Sequence, residues 1–151
     1  MDIEGKLGLL YSNVLMEVVS TISGFSLDIL SQEWDAEFEE MTGVMSLNGK
    51  KSGLLFVSAK EAHMRLLCSY MIGVPQDEVS VGDVEDSLCE LVNIIAGGAK
   101  LRLSDTDFVF SLSSPFVVRG QNMSVAAQNK SRLISSVLGN EKITVKLTVI
   151  Y

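Results

Sequence analysis

EDSLCELVNIIAGGAK, residues 85–100, is the stretch whose reading decides the fold. Counting 100° per residue from Leu88, the residues Leu91, Val92, Ile95, Ala99 and Leu103 all fall within about 60° of it, the stripe of an amphipathic helix laid on a core. Asp86, Glu90, Asn93 and Gly97 gather around the opposite pole. Glu90 and Asn93 are three residues apart and therefore neighbours on the wet face, where a carboxylate and a carboxamide can touch one ligand. On an arbitrary helix such a pair is most often just two solvated residues, so the spacing alone does not make a site.

Gly97 and Gly98 raise the stakes, because the helical pattern runs on through Ala99, Lys100 and Leu101 and each interior glycine costs about 1 kcal/mol relative to alanine. Gly97 follows Asn93 by one turn on the same side, where a missing side chain lets the backbone of another protein come close. Gly98 lies nearer the apolar stripe and is expected to allow close packing on a sheet or on a second helix.

Working outward, Leu7, Leu10, Val14, Val18 and Ile22 recur at helical spacing and predict a helix over residues 5–23, ended by Gly24. Leu27 to Glu33, Thr42 to Leu47 and Ser52 to Ser58 read as strands, the last two joined by the turn Asn48, Gly49, Lys50, Lys51. Residues 60–72 return to helix. After Pro75 and a polar connector, the long helix runs from about Asp83, expected as its N-cap, to Leu103. Asp107 to Ser113, Phe116 to Arg119, Met123 to Asn129 and Ile143 to Tyr151 are strand candidates; Ser131 to Leu138 fits a short helix or a strand. Trp34 is expected to anchor an edge strand.

A faint repeat runs through this order. Setting residues 16–26 against residues 89–99, at an offset of 73, matches Glu17 to Glu90, Val19 to Val92, Ile22 to Ile95 and Gly24 to Gly97. Ser20 then stands where Asn93 stands, as expected of a duplicated half whose own site has decayed.

Bulk properties narrow the function. A chain of 151 residues with 47% hydrophobic residues buries one sizeable core, so a single domain over residues 1–151 is expected. The formal charge of −7 argues against a nucleic-acid binder. No long apolar run offers a membrane span, and MDIEGKLG lacks the pattern of a signal peptide, so a cytoplasmic location is expected. Cys68 and Cys89 are solitary and read as reduced thiols; with His63 as the only histidine they form no metal site. His63 reads as a surface or helix-packing residue, and nothing around it suggests a Ser/His/Asp hydrolase.

The string ELVNIIAGGAK, Glu90 to Lys100, closely resembles the signature helix of the CheC/CheX/FliY family of chemotaxis phosphatases, in which E-x-x-N precedes an I-A-G-G-A-type segment. GLLFVSAKEAHMRLLCSYMIG, Gly53 to Gly73, is similar to the family's strand, helix and M-x-G turn. Cys89, where a small residue is more usual, and Val92, often threonine, depart from the pattern without removing a catalytic group. The resemblance implies an α/β domain of α+β type with the CheC-like fold: two long helices packed on an antiparallel sheet, in pseudo-duplicated halves. With one complete E-x-x-N the chain resembles the single-site CheX type.

It further implies hydrolysis of the aspartyl phosphate on a CheY-like response-regulator receiver. Asn93 would position the attacking water and Glu90 would pair with the receiver's lysine, while Mg²⁺ is supplied by the receiver and no cofactor by this chain. Asp86, Gly97 and Lys100 are the expected partner-binding residues, and Glu17 and Ser20 the degenerate second site. The alternative is a noncatalytic module that binds a receiver or a flagellar-switch component. A homodimer is also expected: the CheX type that the chain resembles pairs through its sheets, and the apolar segment Ile143 to Tyr151 needs strand neighbours on both sides, the alternative being an edge capped within a monomer by the first strand or a loop.

Overall fold

The computed structural model describes residues 3–32, 37–128 and 133–151. In chain order the elements are α1 (Ile3–Ser23), β1 (Asp28–Ser31), β2 (Met41–Gly49), β3 (Gly53–Ala59), α2 (Glu61–Ile72), α3 (Val81–Arg102), β4 (Phe110–Ser111), β5 (Phe116–Arg119), β6 (Leu133–Gly139) and β7 (Thr144–Ile150). The strands form one antiparallel sheet in the order β1-β6-β7-β3-β2, with β4 and β5 both pairing along the outer side of β2. The expected pair of long helices, α1 and α3, is joined by the shorter α2.

Alternation along the strands aims one side of the sheet at the helices. Met41, Met45, Leu47, Leu55, Val57, Val145, Leu147 and Val149 are buried there against Leu88, Leu91, Val92 and Ile95 of α3 and Leu7, Tyr11, Val14 and Leu15 of α1. Gly43 lets α3 lie directly on β2, since a Cβ at that position would stand 2.6 Å from Val92 Cγ2. Under α1 the close approach comes from the helix instead: a Cβ on Gly8 would stand 2.7 Å from Ile134 Cγ2. Gly98 serves packing on the second helix, with Val14 Cγ1 2.8 Å from where its Cβ would be.

The repeat is visible in the topology. The units α1-β1-β2-β3 and α3-β5-β6-β7 exchange under a two-fold rotation about the β3–β7 seam, which swaps β1 with β5 and β2 with β6. Each unit sends its first strand to the far edge, beside the second strand of the other.

Several expectations need correction. Asp83 is not the N-cap of α3: Ser80 is, and Asp83 sits three residues on in a capping box, its amide donating to Ser80 Oγ and its carboxylate accepting from the Ser80 amide, both at 3.0 Å. Asp107 to Ser113 shrinks to Phe110–Ser111, because residues 103–109 are spent in turns closed by Thr106 and Leu103. Met123 to Asn129 is no strand over its described part; Ser124 alone bridges Glu37, and Val125 is its one β-branched residue. The open reading of Ser131 to Leu138 resolves to strand β6 in its described part. Trp34 lies outside the described residues.

The C-terminal strand has the neighbours expected on both its sides. β7 is paired along its length with β6 on one side and β3 on the other, so its neighbours come from its own chain. The apolar segment therefore gives no separate ground for a dimer; the outer strands are β1 on one side and β4 and β5 on the other. Tyr151 is tied down as well, its hydroxyl 2.8 Å from that of the fully buried Tyr11. Burial first, then the neighbouring Tyr151, pushes the Tyr11 phenol far up from its ordinary value.

Candidate functional site

The candidate face is the outward side of α3. Its capping box and Asp83 in the first turn suit the positive end of the helix dipole, and Lys100 and Arg102 suit the negative end. With Leu88, Leu91, Val92 and Ile95 fully buried, the helix cannot rotate without exposing core, so the outward residues are fixed by the inward ones. Asp86 and Glu90 are exposed, and Asn93, Gly97 and Lys100 are half-buried. Among the described residues none of Asp86, Glu90, Asn93 and Lys100 has a side-chain hydrogen bond or ion pair. A Cβ on Gly97 would meet nothing within 4 Å, so nothing inside the chain requires that glycine.

The surroundings behave differently. Arg119 of β5 bonds Glu85 of α3 at 3.2 Å and reaches Glu61 of α2 at 3.5 Å, and Arg65 adds a contact to Glu61 at 3.6 Å. These partly exposed pairs contribute little energy, but they occupy Glu85 and Glu61 and leave Asp86 and Glu90 open. The Cys89 thiol is pushed up by burial and then by the carboxylates of Asp86 and Glu85, which favours the thiol over the thiolate. Cys68 is buried, receives the Ser87 hydroxyl at 2.9 Å and ties α2 to α3. His63 does packing work too, its Nδ1 accepting the Thr144 amide at 3.0 Å.

Glu17 and Ser20, the expected degenerate site, lie on α1, and there the structure supplies a residue that the sequence reading missed. Glu17 is ion-paired with Arg102, whose other terminal nitrogen donates to the Gly98 carbonyl at 3.2 Å. Ser20 is exposed. Glu17 and Arg102 are 85 positions apart, and only the antiparallel packing of α1 on α3 brings them together, so no local pattern announces the pair. Two shallow grooves run between these helices, of about 330 and 370 Å³, lined by Lys6, Leu10 and Arg102 among others. Neither is lined by Glu90 or Asn93, which stand on the outward face of α3. An outward pair of polar groups suits a ligand that brings its own cavity.

The family profile described as Chemotaxis phosphatase CheX matches residues 41–138. The chain belongs to the CheX family. The matched span holds all of α3 and none of α1. A search of curated proteins finds no match. Solved structures agree on the CheC-like α+β fold. A CheC-like superfamily protein from Shewanella sp. PV-4 superposes with a TM-score of 0.82 at 22% identity, over 99% of this chain and 98% of that one. The chemotaxis protein CheX from Vibrio vulnificus gives 0.79 at 19% identity, over 95% and 97%. The CheX–CheY–BeF3–Mg²⁺ complex from Borrelia burgdorferi gives 0.72 at 14% identity, over 96% of each chain. Among the described residues, no helix is long and apolar enough to cross a membrane.

Proposed function

We propose that this protein hydrolyses the aspartyl phosphate of a CheY-type receiver domain, with Asn93 and Glu90 of α3 entering the receiver's phosphorylation site. The observation that carries the reading is the pair itself: a carboxamide and a carboxylate one turn apart, outward-facing and unpartnered, on a helix of a CheX-family fold. A solved CheX–CheY complex among the structural neighbours supports the choice of partner.

Phosphoryl transfer depends on in-line positioning and on neutralising charge at the equatorial oxygens. The Asn93 amide accepts a hydrogen bond from water through its oxygen and donates one to a phosphoryl oxygen through its nitrogen, which holds the water in line without removing its proton. Half-burial restricts the rotamers of Asn93 and so pre-orients it. Glu90 pairs with the receiver's lysine and sets the helix in register. Asp86 and Lys100 flank the contact at either end, and the receiver's backbone passes over Gly97. Mg²⁺ comes with the receiver and screens the phosphoryl charge; the chain needs no cofactor of its own. The reaction is placed in the cytoplasm, where receivers are phosphorylated.

The test is phosphate release from a panel of phosphorylated receivers of the same organism, with wild type and Asn93→Ala. Release that depends on Asn93 supports the reading. Receivers that bind without any release reduce the protein to a binding module.

A further inference from the structure

Along the outward line of α3, Glu90 is followed by Ile94, Gly97 and Leu101 at intervals of four, three and four residues, the spacing of one helical stripe. Ile94 is 38% exposed and Leu101 is 78% exposed, the highest among the described large apolar side chains. A lone exposed leucine needs no explanation. Two of them in line with an unpartnered carboxylate, separated by a glycine that no internal contact requires, form a continuous surface with one polar and one apolar end.

We infer that Ile94 and Leu101 are specificity contacts for the receiver, seating on apolar side chains of its surface beside the phosphorylation site; the inference rests on the receiver reading of Glu90 and Asn93. Distance favours this occupant. At 1.5 Å per residue Leu101 lies about 16 Å along the axis from Glu90. A standard interface covers about 800 Å² per partner, a disc of about 16 Å radius, so a receiver centred on Glu90 and Asn93 reaches Leu101. A phosphorylated small molecule would not. The charged end fixes register and the apolar end contributes area, which differs from receiver to receiver and is where discrimination among them is expected.

The test titrates beryllofluoride-loaded receivers of the same organism with wild type, Leu101→Ser, Ile94→Ser and Leu30→Ser, the last removing an apolar side chain that is 58% exposed on the edge strand β1. The expected result is a Kd raised about tenfold by Leu101→Ser and severalfold by Ile94→Ser, with Leu30→Ser binding as wild type does. Equal affinity for wild type and Leu101→Ser overturns the inference. So does light scattering in which Leu101→Ser turns a dimer into a monomer at unchanged Kd, which assigns the stripe to a second copy of the chain. Wild type that binds receivers without releasing phosphate defeats the phosphatase reading, and the Kd comparison still decides the stripe. Wild type that binds no receiver defeats both.

Discussion

α1 and α3 occupy equivalent places in a duplicated fold and have met different fates. On α3 the carboxylate and carboxamide are open and Gly97 faces empty space; on α1 Glu17 is held by Arg102 and serine replaces asparagine. The difference teaches that a scaffold and its site are kept by separate forces. Both helices still bury an apolar stripe on the sheet, because losing it would expose the core. The polar face of α1 has no such constraint and was free to acquire an internal ion pair.

The contrast breaks most directly at Asn93. Asn93→Ala should lower turnover by about 100-fold, or about 2.7 kcal/mol, with receiver binding retained within about threefold. Wild-type turnover in a phosphate-release assay would end the proposed role. Next come the two glycines of close approach. Gly43→Ala and Gly8→Ala should each destabilise by about 1–3 kcal/mol, measured by urea unfolding, because a Cβ at either position collides with a packed side chain. If only one of them is sensitive, the two halves are not held down equally.

Gly97→Ala sharpens the comparison by running the other way. With open space around its Cβ, alanine should raise stability by about 0.5–1 kcal/mol while weakening receiver binding. A gain in stability with unchanged binding would deny Gly97 its part in the interface. The smallest effects belong to α1: Ser20→Ala should leave turnover within about twofold of wild type, or about 0.4 kcal/mol. A large loss there would mean that α1 still works.

The stripe of α3 was legible because burial imposes a period on the sequence, and the outward residues follow from the inward ones. The β2–β3 hairpin was legible because its partners are adjacent in the chain. The capping box was written locally too, as S-x-x-D from Ser80 to Asp83, and was misread by starting the helix at the acid. What the sequence hid depends on distant partners. Neither the flanking of β7 by β3 nor the capture of Glu17 by Arg102 has a local signature. The openness of Glu90 and Asn93 lies between these cases: their direction could be read from the sequence, their freedom from partners could not.

The crossing of first strands between the two units has a consequence for how the molecule comes apart. Because β1 is zipped to β6 and β5 to β2, neither unit completes its sheet alone, and each needs pairings made across most of the chain. Such a chain is expected to fold slowly and to melt as one cooperative body, with amides of both hairpins exchanging through the same global opening. Excising either half would therefore take the other with it, so the unit that carries Glu90 and Asn93 depends for its sheet on the unit that carries α1.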